Sequence, residues 1–371
     1  MLSFVAAASP SMGILIWMRA LQAVAWSVAI TGMSTWYIEF LPTKGRGTLM
    51  AAYSLGWPLG RGLVILTASL TDEAWQPLML LGAAGFAALS VTMFFATESP
   101  RFLVAKGRLS EANAVLGHLY RVNGQDAWDP ETRLCLDQAS GCQQIADNTI
   151  GHWTGVNMLF RTHRRLLVFA LTLFGILAST TTLLDTWGPE VYREMLSPTD
   201  GELPHGVLAL FNLGDLAGTV LSMFVIDRIG RFGSFVIGFF VQGSFLLIMG
   251  SSSSMRSAVC VMVLGTLASS CRSFGWESAQ MWTLEAFPTE VRALALGIAT
   301  AFMRILSIGS LKISASYVGY LRPEQSLQIL GTLLLCGGVI STMMLPKETA
   351  KLPISEGISA PPADWAQKLL P

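Results

Sequence analysis

Charge is the scarcest thing in this sequence. Only 13% of its 371 residues are Asp, Glu, Lys or Arg, while 52% are hydrophobic. A water-soluble domain carries roughly 25% charged residues, because its surface must be hydrated. About half that share in a chain this long excludes an ordinary soluble globule and means that much of the surface meets lipid. The 24 basic and 24 acidic residues cancel, so the basic surplus that draws a protein to nucleic acid is missing. Cysteine is sparse as well. Cys135, Cys142, Cys260, Cys271 and Cys336 form no CxxC pair, and His118, His152 and His163 are scattered, so no metal site and no disulfide framework is expected. There is no P-loop, no GxGxxG after a strand, no HExxH and no GxSxG elbow. That leaves an enzyme without support, and no bound cofactor is expected. The opening MLSFVAAASPSMGILIW lacks a basic n-region, so a cleavable signal peptide is not expected either.

What the chain has instead is long apolar runs. A bilayer core of about 30 Å needs roughly 20 apolar residues in helical form. Runs of that kind lie near 13–39, 47–70, 76–97, 165–188, 206–226, 232–250, 257–284, 291–317 and 326–345, which predicts an all-α, polytopic bundle of about nine membrane helices. Residues 1–9 are apolar but too short to span, and read as the tail of another helix. Gly and Pro recur inside the runs, as in Gly56-Trp57-Pro58-Leu59-Gly60-Arg61-Gly62. Membrane helices tolerate this where neighbours satisfy the backbone and small residues permit close packing.

Loop charge sets the expected orientation. Alternate loops (41–46, 98–165, 227–231, 285–292 and the tail from 346) hold sixteen Lys and Arg, and the others hold Arg193, Arg256 and Arg322. The positive-inside rule places the first set, and the C-terminus with it, in the cytoplasm. Four units follow: an incomplete helical lobe at 1–97, a linker at 98–164, a six-helix lobe at 165–346 and a disordered tail at 347–371, rich in Pro and Ser. In the linker Ser110 is a plausible N-cap. Ala112, Val115, Leu116, Leu119 and Tyr120 share one face and Gly124 supplies a stop, so an amphipathic helix is expected, followed by a polar, mobile stretch over 126–153.

Four elements on the expected cytoplasmic edge then carry a resemblance. Asp227-Arg228-Ile229-Gly230-Arg231, with Gly218 nine residues before Asp227, resembles the G-x8-D-R-x-G-R loop of the major facilitator superfamily. Glu98-Ser99-Pro100-Arg101-Phe102-Leu103, followed by Lys106-Gly107-Arg108, is similar to the segment after that superfamily's sixth helix. TLEAFPTEVR at 283–292, with Glu285 and Arg292, resembles the element between the tenth and eleventh helices. Glu39-Phe40-Leu41-Pro42-Thr43-Lys44-Gly45-Arg46 matches the element closing the fourth. Together they resemble the organic ion transporter and synaptic-vesicle-protein branch over nearly all of 1–346. The resemblance implies a transporter fold in which Glu39, Arg46, Glu98, Arg101, Arg108, Asp227, Arg228, Arg231, Glu285 and Arg292 latch the inward face and release as two lobes rock. It also implies twelve helices, of which this chain begins at the end of the third; a truncated gene model is favoured over a natural short form.

An ionisable group at mid-span is expensive unless paired or hydrated, so each marks a candidate site. Arg19 resembles the superfamily's R-x-x-x-G pattern, with Ala23 in place of the Gly, and reads equally as a coupling or a structural residue. Arg61, between two glycines, leans structural. Asp215 shares a polar stripe with Asn212, Thr219 and Ser222, suited to pairing helices or touching substrate. Glu277 shares a face with Ser273 and Gln280, as a cavity wall would. Arg272 stands about 140° around the helix from Glu277 and either snorkels or meets Asp185. Arg304, seven residues after Gly297, falls where the resemblance puts Asp in cation carriers and Arg in anion carriers, and Lys312 lies on the same face about 12 Å on. The alternative is that both bases pair with Asp185, Asp215 or Glu277. Trp75, Trp187, Tyr317 and Tyr320, near span ends, read as interface anchors. The expected function is a secondary transporter of small organic ions, anions slightly favoured, with the substrate and the bilayer as partners. A non-transporting receptor, regulator or fragment on the same scaffold is the alternative. The sequence leaves oligomeric state open.

Overall fold

In lipid a backbone must satisfy its own hydrogen bonds, which leaves helices as the building unit for a chain of this composition. The computed structural model describes residues 2–9, 11–42, 44–71, 74–124, 152–196, 205–251, 257–317, 322–344 and 349, and among them there is no strand. The helices are α1 (Leu2–Ala7), α2 (Met12–Phe40), α3 (Arg46–Ser54), α4 (Gly56–Leu70), α5 (Trp75–Met93), α6 (Pro100–Ala105), α7 (Leu109–Val122), α8 (His152–Arg161), α9 (Arg164–Leu196), α10 (His205–Val236), α11 (Gln242–Ser251), α12 (Ala258–Ala286), α13 (Thr289–Tyr317) and α14 (Pro323–Met343). A π-helical turn at Ile237–Val241 joins α10 to α11, and α3 and α4 together make one span over Arg46–Leu70.

Eight stretches among the described residues are long and apolar enough to cross a membrane, and one of them, His205–Ser251, has 47 residues. At 1.5 Å per residue that is about 70 Å, more than twice a hydrocarbon core. It crosses twice. Gly230 breaks the helix with φ 77° and ψ 178°, a left-handed conformation that favours glycine. Before the break α10 runs parallel to α12: Gly218 lies on Ser270 and Ser222 meets Glu277. After it the chain runs back, Arg231 meeting Glu285 and Gly238 lying on Gly275. Among the described residues the eight stretches thus supply nine crossings, the number of the hydrophobic runs.

Small residues set the spacing. A methyl group on Gly218 would fall 2.2 Å from the Ser270 carbonyl, and one on Gly238 would fall 2.3 Å from the Gly275 Cα. With lipid as solvent, packing of this kind drives helix association. The helices after residue 164, a second group set apart from those before residue 97, close around Phe169, Leu173, Trp282 and Phe287, with Phe169 and Trp282 edge-to-face at 4.7 Å. Outward, Val220, Leu221 and Phe224 are exposed along one side of α10, as a lipid-facing stripe should be.

One boundary differs from expectation. The linker helix begins at Leu109 with Arg108 at the N-cap position, so Ser110 lies inside the helix and caps nothing. Arg108 instead reaches Glu111, at 2.5 and 2.7 Å, and that local pair holds the first turn. The Glu111 carboxyl is held below the usual carboxylate range by this hydrogen bond. Ala112 is buried, Val115, Leu116, Leu119 and Tyr120 are half-buried on the expected face, and Gly124 ends the turn at φ 74°. Most of the polar stretch 126–153, Tyr320 and most of the tail after 346 lie outside the described residues.

Candidate functional site

Two layers of charge join the helices before 97 to those after 164. The first lies at the edge where α10 folds back. Asp227, on the last turn before Gly230, accepts hydrogen bonds from the backbone N–H groups of Gly47 and Thr48, both at 3.1 Å. These are orphan donors at the start of α3, and a carboxylate there also meets the positive end of the helix dipole. Thr48 Oγ1 donates to the Met223 carbonyl at 2.7 Å. Arg231 donates to Asp227 at 3.0 Å and to both oxygens of Glu285 at 2.8 and 3.0 Å. Arg46 reaches the same Glu285 at 3.1 Å, and the Thr349 hydroxyl donates to it at 2.7 Å. Beside this cluster Arg292 pairs with Glu39 at 3.3 Å. Arg46, Arg231 and Arg292 are each 1% exposed. Bases so deeply buried are tolerable because each has an acid partner.

Six of the ten expected latch residues therefore meet: Glu39, Arg46, Asp227, Arg231, Glu285 and Arg292. Arg228, Glu98 and Arg108 do not join them. Arg228 is exposed, since its neighbours on the helix, not it, face α3. Glu98 is exposed just before Ser99, whose hydroxyl caps α6 by accepting from Phe102 N at 3.3 Å, with Pro100 at the first turn. Arg108 is taken by Glu111. Arg101 is half-buried on α6.

The second layer lies about 18 Å further along α10, the rise from Asp227 back to Asp215. There Arg272 of α12 donates to Asp215 at 2.6 Å and to Asp185 of α9 at 3.0 Å. Arg61, reaching across from α4, meets Asp185 at 3.2 Å and Asp215 at 3.5 Å. Ser273 donates to Asp215 at 2.8 Å, and Asn212 Nδ2 donates to the Pro58 carbonyl at 3.0 Å. Arg272 is thus buried and paired rather than snorkelling, and both aspartates are committed to Arg61 and Arg272. The polar stripe on α10 meets both α4 and α12, through Asn212 and Asp215.

Between the layers Glu277 is 5% exposed. Its Oε2 accepts from Ser222, and its Oε1 has no hydrogen-bond partner among the described residues. Gln280 donates to Ser34 of α2 at 2.8 Å, another tie between the two groups. Arg304 and Lys312 lie exposed on α13, with no ion pair to either among the described residues. The aspartates that could neutralise them are engaged elsewhere. Arg19 is exposed and donates to Gln22 at 3.2 Å. Trp187 ties α9 to α13 through Ser314 at 2.8 Å, while Tyr317 is exposed. Sequence reasoning counted Asp185 and Arg272 among the mid-span candidates and offered their meeting as one alternative, but it did not join them to Asp215 and Arg61. Among the described residues no group of His, Cys, Asp and Glu is disposed to hold a metal.

The two spans on either side of the DRxGR turn and the buried pairing of Arg231 and Arg46 with Glu285 bring three of the strings that carried the resemblance to one edge. The family described as sugar (and other) transporter matches residues 1–314. This chain belongs to that family. It is 28% identical to the inner membrane metabolite transport protein YgcS of Escherichia coli over 85% of this chain and 66% of that protein. It is 25% identical to the organic cation/carnitine transporter 7 of Arabidopsis thaliana over 96% and 77%. With the synaptic vesicle 2-related protein of Rattus norvegicus the identity is 26%, over 73% of this chain and 50% of that one. The chain thus spans between half and about three quarters of these relatives. Among solved structures it is similar to the major facilitator proton:xylose symporter XylE bound to 6-bromo-6-deoxy-D-glucose, at 19% identity and a TM-score of 0.61, over 86% of this chain and 68% of that one. The fold is that of a major facilitator membrane protein and not of an enzyme, and the chain is multi-pass.

Proposed function

We propose that this sugar (and other) transporter family member is a secondary transporter of small organic ions, anions preferred, working by alternating access. The observation that carries the anion preference is the division of charge at mid-span. Asp185 and Asp215 are consumed by Arg61 and Arg272, while Arg304 and Lys312 lack ion-pair partners among the described residues. Two unneutralised cations in a poorly screened setting favour an anionic guest. The edge cluster supports the alternating-access part, because its pairs join the two groups of helices at one face and must part for that face to open. The names of relatives, a metabolite transport protein and an organic cation/carnitine transporter, support an organic solute. In this reading the C-terminus and the 98–164 linker face the cytoplasm.

Uptake tests the proposal. Proteoliposomes holding the chain should accumulate a radiolabelled aromatic carboxylate in preference to an aromatic ammonium of the same size. Uptake of the ammonium alone would overturn the anion preference. Uptake of neither would favour a non-transporting role on the same scaffold.

A further inference from the structure

The mid-span layer is neutral only while the two groups of helices are together. Three of its members, Asp185, Asp215 and Arg272, belong to the second group and sum to one negative charge. The compensating positive charge, Arg61, is supplied by α4 of the first group. The two arginines are not equivalent. Arg272 is 7% exposed and bonded at 2.6 and 3.0 Å, while the Arg61 side chain is 34% exposed and its contacts are longer, at 3.2 and 3.5 Å. If the groups part here, Arg61 departs and Arg272 stays. What remains is a net negative seat inside the membrane, which is costly until a cation fills it.

The seat has the shape of its present occupant. Arg61 offers one nitrogen to Asp185 Oδ2 and another to Asp215 Oδ2, the two-donor approach that a guanidinium makes to paired acceptors. An independent feature points the same way. Asn212, 7% exposed and one turn from Asp215 on the same helical face, reaches α4 at Pro58, three residues before Arg61, and its buried Oδ1 has no hydrogen-bond partner among the described residues. A buried acceptor without a donor is costly, and an incoming N–H would satisfy it.

We propose that Asp185 and Asp215 form a cation subsite, with Arg61 as its tethered, displaceable occupant, and that a guanidinium or primary ammonium head takes Arg61's place when the helix groups separate. The proposal goes beyond the anion reading and rests only on the groups parting. The head belongs either to a separate co-transported cation or to a zwitterionic substrate.

The test is equilibrium binding to the purified chain in lipid nanodiscs, so that a failure of transport and a failure of this subsite are read separately. The probe is methylguanidinium. Urea serves as the neutral look-alike, and tetramethylammonium as a cation without N–H. A tethered group competes at an effective concentration in the millimolar range. Arg61→Ala should therefore bind methylguanidinium roughly tenfold more tightly than the parent, and Asp185→Asn added to it should remove the gain. Urea and tetramethylammonium should show no gain. Equal affinity in parent and Arg61→Ala, or a gain that survives Asp185→Asn, overturns the proposal. If Arg61→Ala does not fold, Arg61→Lys replaces it: the shorter ammonium leaves one carboxylate open and should give a smaller gain, and no gain overturns the idea. Guanidinoacetate distinguishes the two sources. Tighter binding than methylguanidinium that is lost in Arg304→Ala assigns the head to a zwitterion, and equal binding assigns it to a separate cation; both support the subsite.

Discussion

Arg231 clasps Glu285 with two hydrogen bonds of 2.8 and 3.0 Å, joining the span after Gly230 to the span that ends at Ala286. The side chains are 1% and 2% exposed, and Arg46 enters from the other group of helices to share the same carboxylate.

Breaking this pair should be costly because both side chains are buried: without Arg231, Glu285 keeps Arg46 while Asp227 loses its arginine. Arg231→Ala is expected to cost about 1–3 kcal/mol, since buried acceptors lose their donors, read as a fall in the thermal unfolding midpoint in detergent. Glu285→Gln should fall too, since it removes the acid that Arg46 and Arg231 share. Arg108→Ala, which removes a solvent-exposed pair, should leave the midpoint in place. A midpoint unmoved by Arg231→Ala would mean the clasp is hydrated.

The contact between Gly47 and Asp227 makes a different prediction. A methyl group at Gly47 would fall 2.0 Å from Asp227 Oδ1 and 3.0 Å from Arg231 Nη1. These are side-chain ends and can give way, so Gly47→Ala should open the edge cluster without unfolding the bundle. Amide hydrogen exchange over 46–54 should accelerate, while exchange in the buried core of α12 stays slow. Unchanged exchange at 46–54 would show that the cluster tolerates the methyl.

Gly218 is a tighter case because its neighbours are backbone. Its added methyl would meet the Ser270 carbonyl at 2.2 Å and the Ser270 Cα at 2.7 Å. Gly218→Ala must push α10 off α12, at about 1–3 kcal/mol for overpacking. Gly60→Ala, which meets nothing within 4 Å, is the control. Equal folded yields for the two variants would contradict the packing described above.

This glycine also shows what was legible in the sequence. Hydrophobic runs alone located the crossings among the described residues, most to within a few residues and the end of α9 eight residues short, because the length of a span is dictated by the bilayer. The spacing of Gly218 from Asp227 marked a special position, but only the parallel approach of α12 explains why a side chain is excluded there. The edge cluster was readable because its members sit at helix ends in recognisable strings. The mid-span layer was not, since Arg61, Asp185, Asp215 and Arg272 come from four helices with no common pattern. The 140° between Arg272 and Glu277 rightly kept those two apart, yet nothing local in the sequence could show that Arg272 holds two aspartates at once. Ser110 was misread as a cap because a hydroxyl before an apolar stripe is only a local signal, and Arg108 with Glu111 already stabilised the turn.

Orientation is expected from the loop charges. A fluorescent reporter fused after Lys347 should fold and fluoresce on the cytoplasmic side, and a glycosylation acceptor placed within residues 197–204 should be modified, because basic loops are retained inside. Glycosylation of an acceptor after Lys347 would reverse the assignment and turn the edge cluster outward.

The last prediction concerns Arg304. It lies on the same side of α13 as Lys312, about 12 Å away along the helix, and neither has an acid partner among the described residues. If this pair sets the sign of the guest, Arg304→Ala should lower anion uptake by at least about tenfold, since the anion would lose its charge partner. Arg304→Asp should go further and shift preference toward the matched cation. Folded yield distinguishes this from a structural role: an exposed residue without an ion-pair partner should change little in stability when replaced, whereas Asp215→Ala, which takes from buried Arg272 the shorter of its two ion pairs, should lower both yield and uptake. Anion uptake that survives Arg304→Ala unchanged would place recognition elsewhere and leave Arg304 facing lipid or water without a role in selectivity.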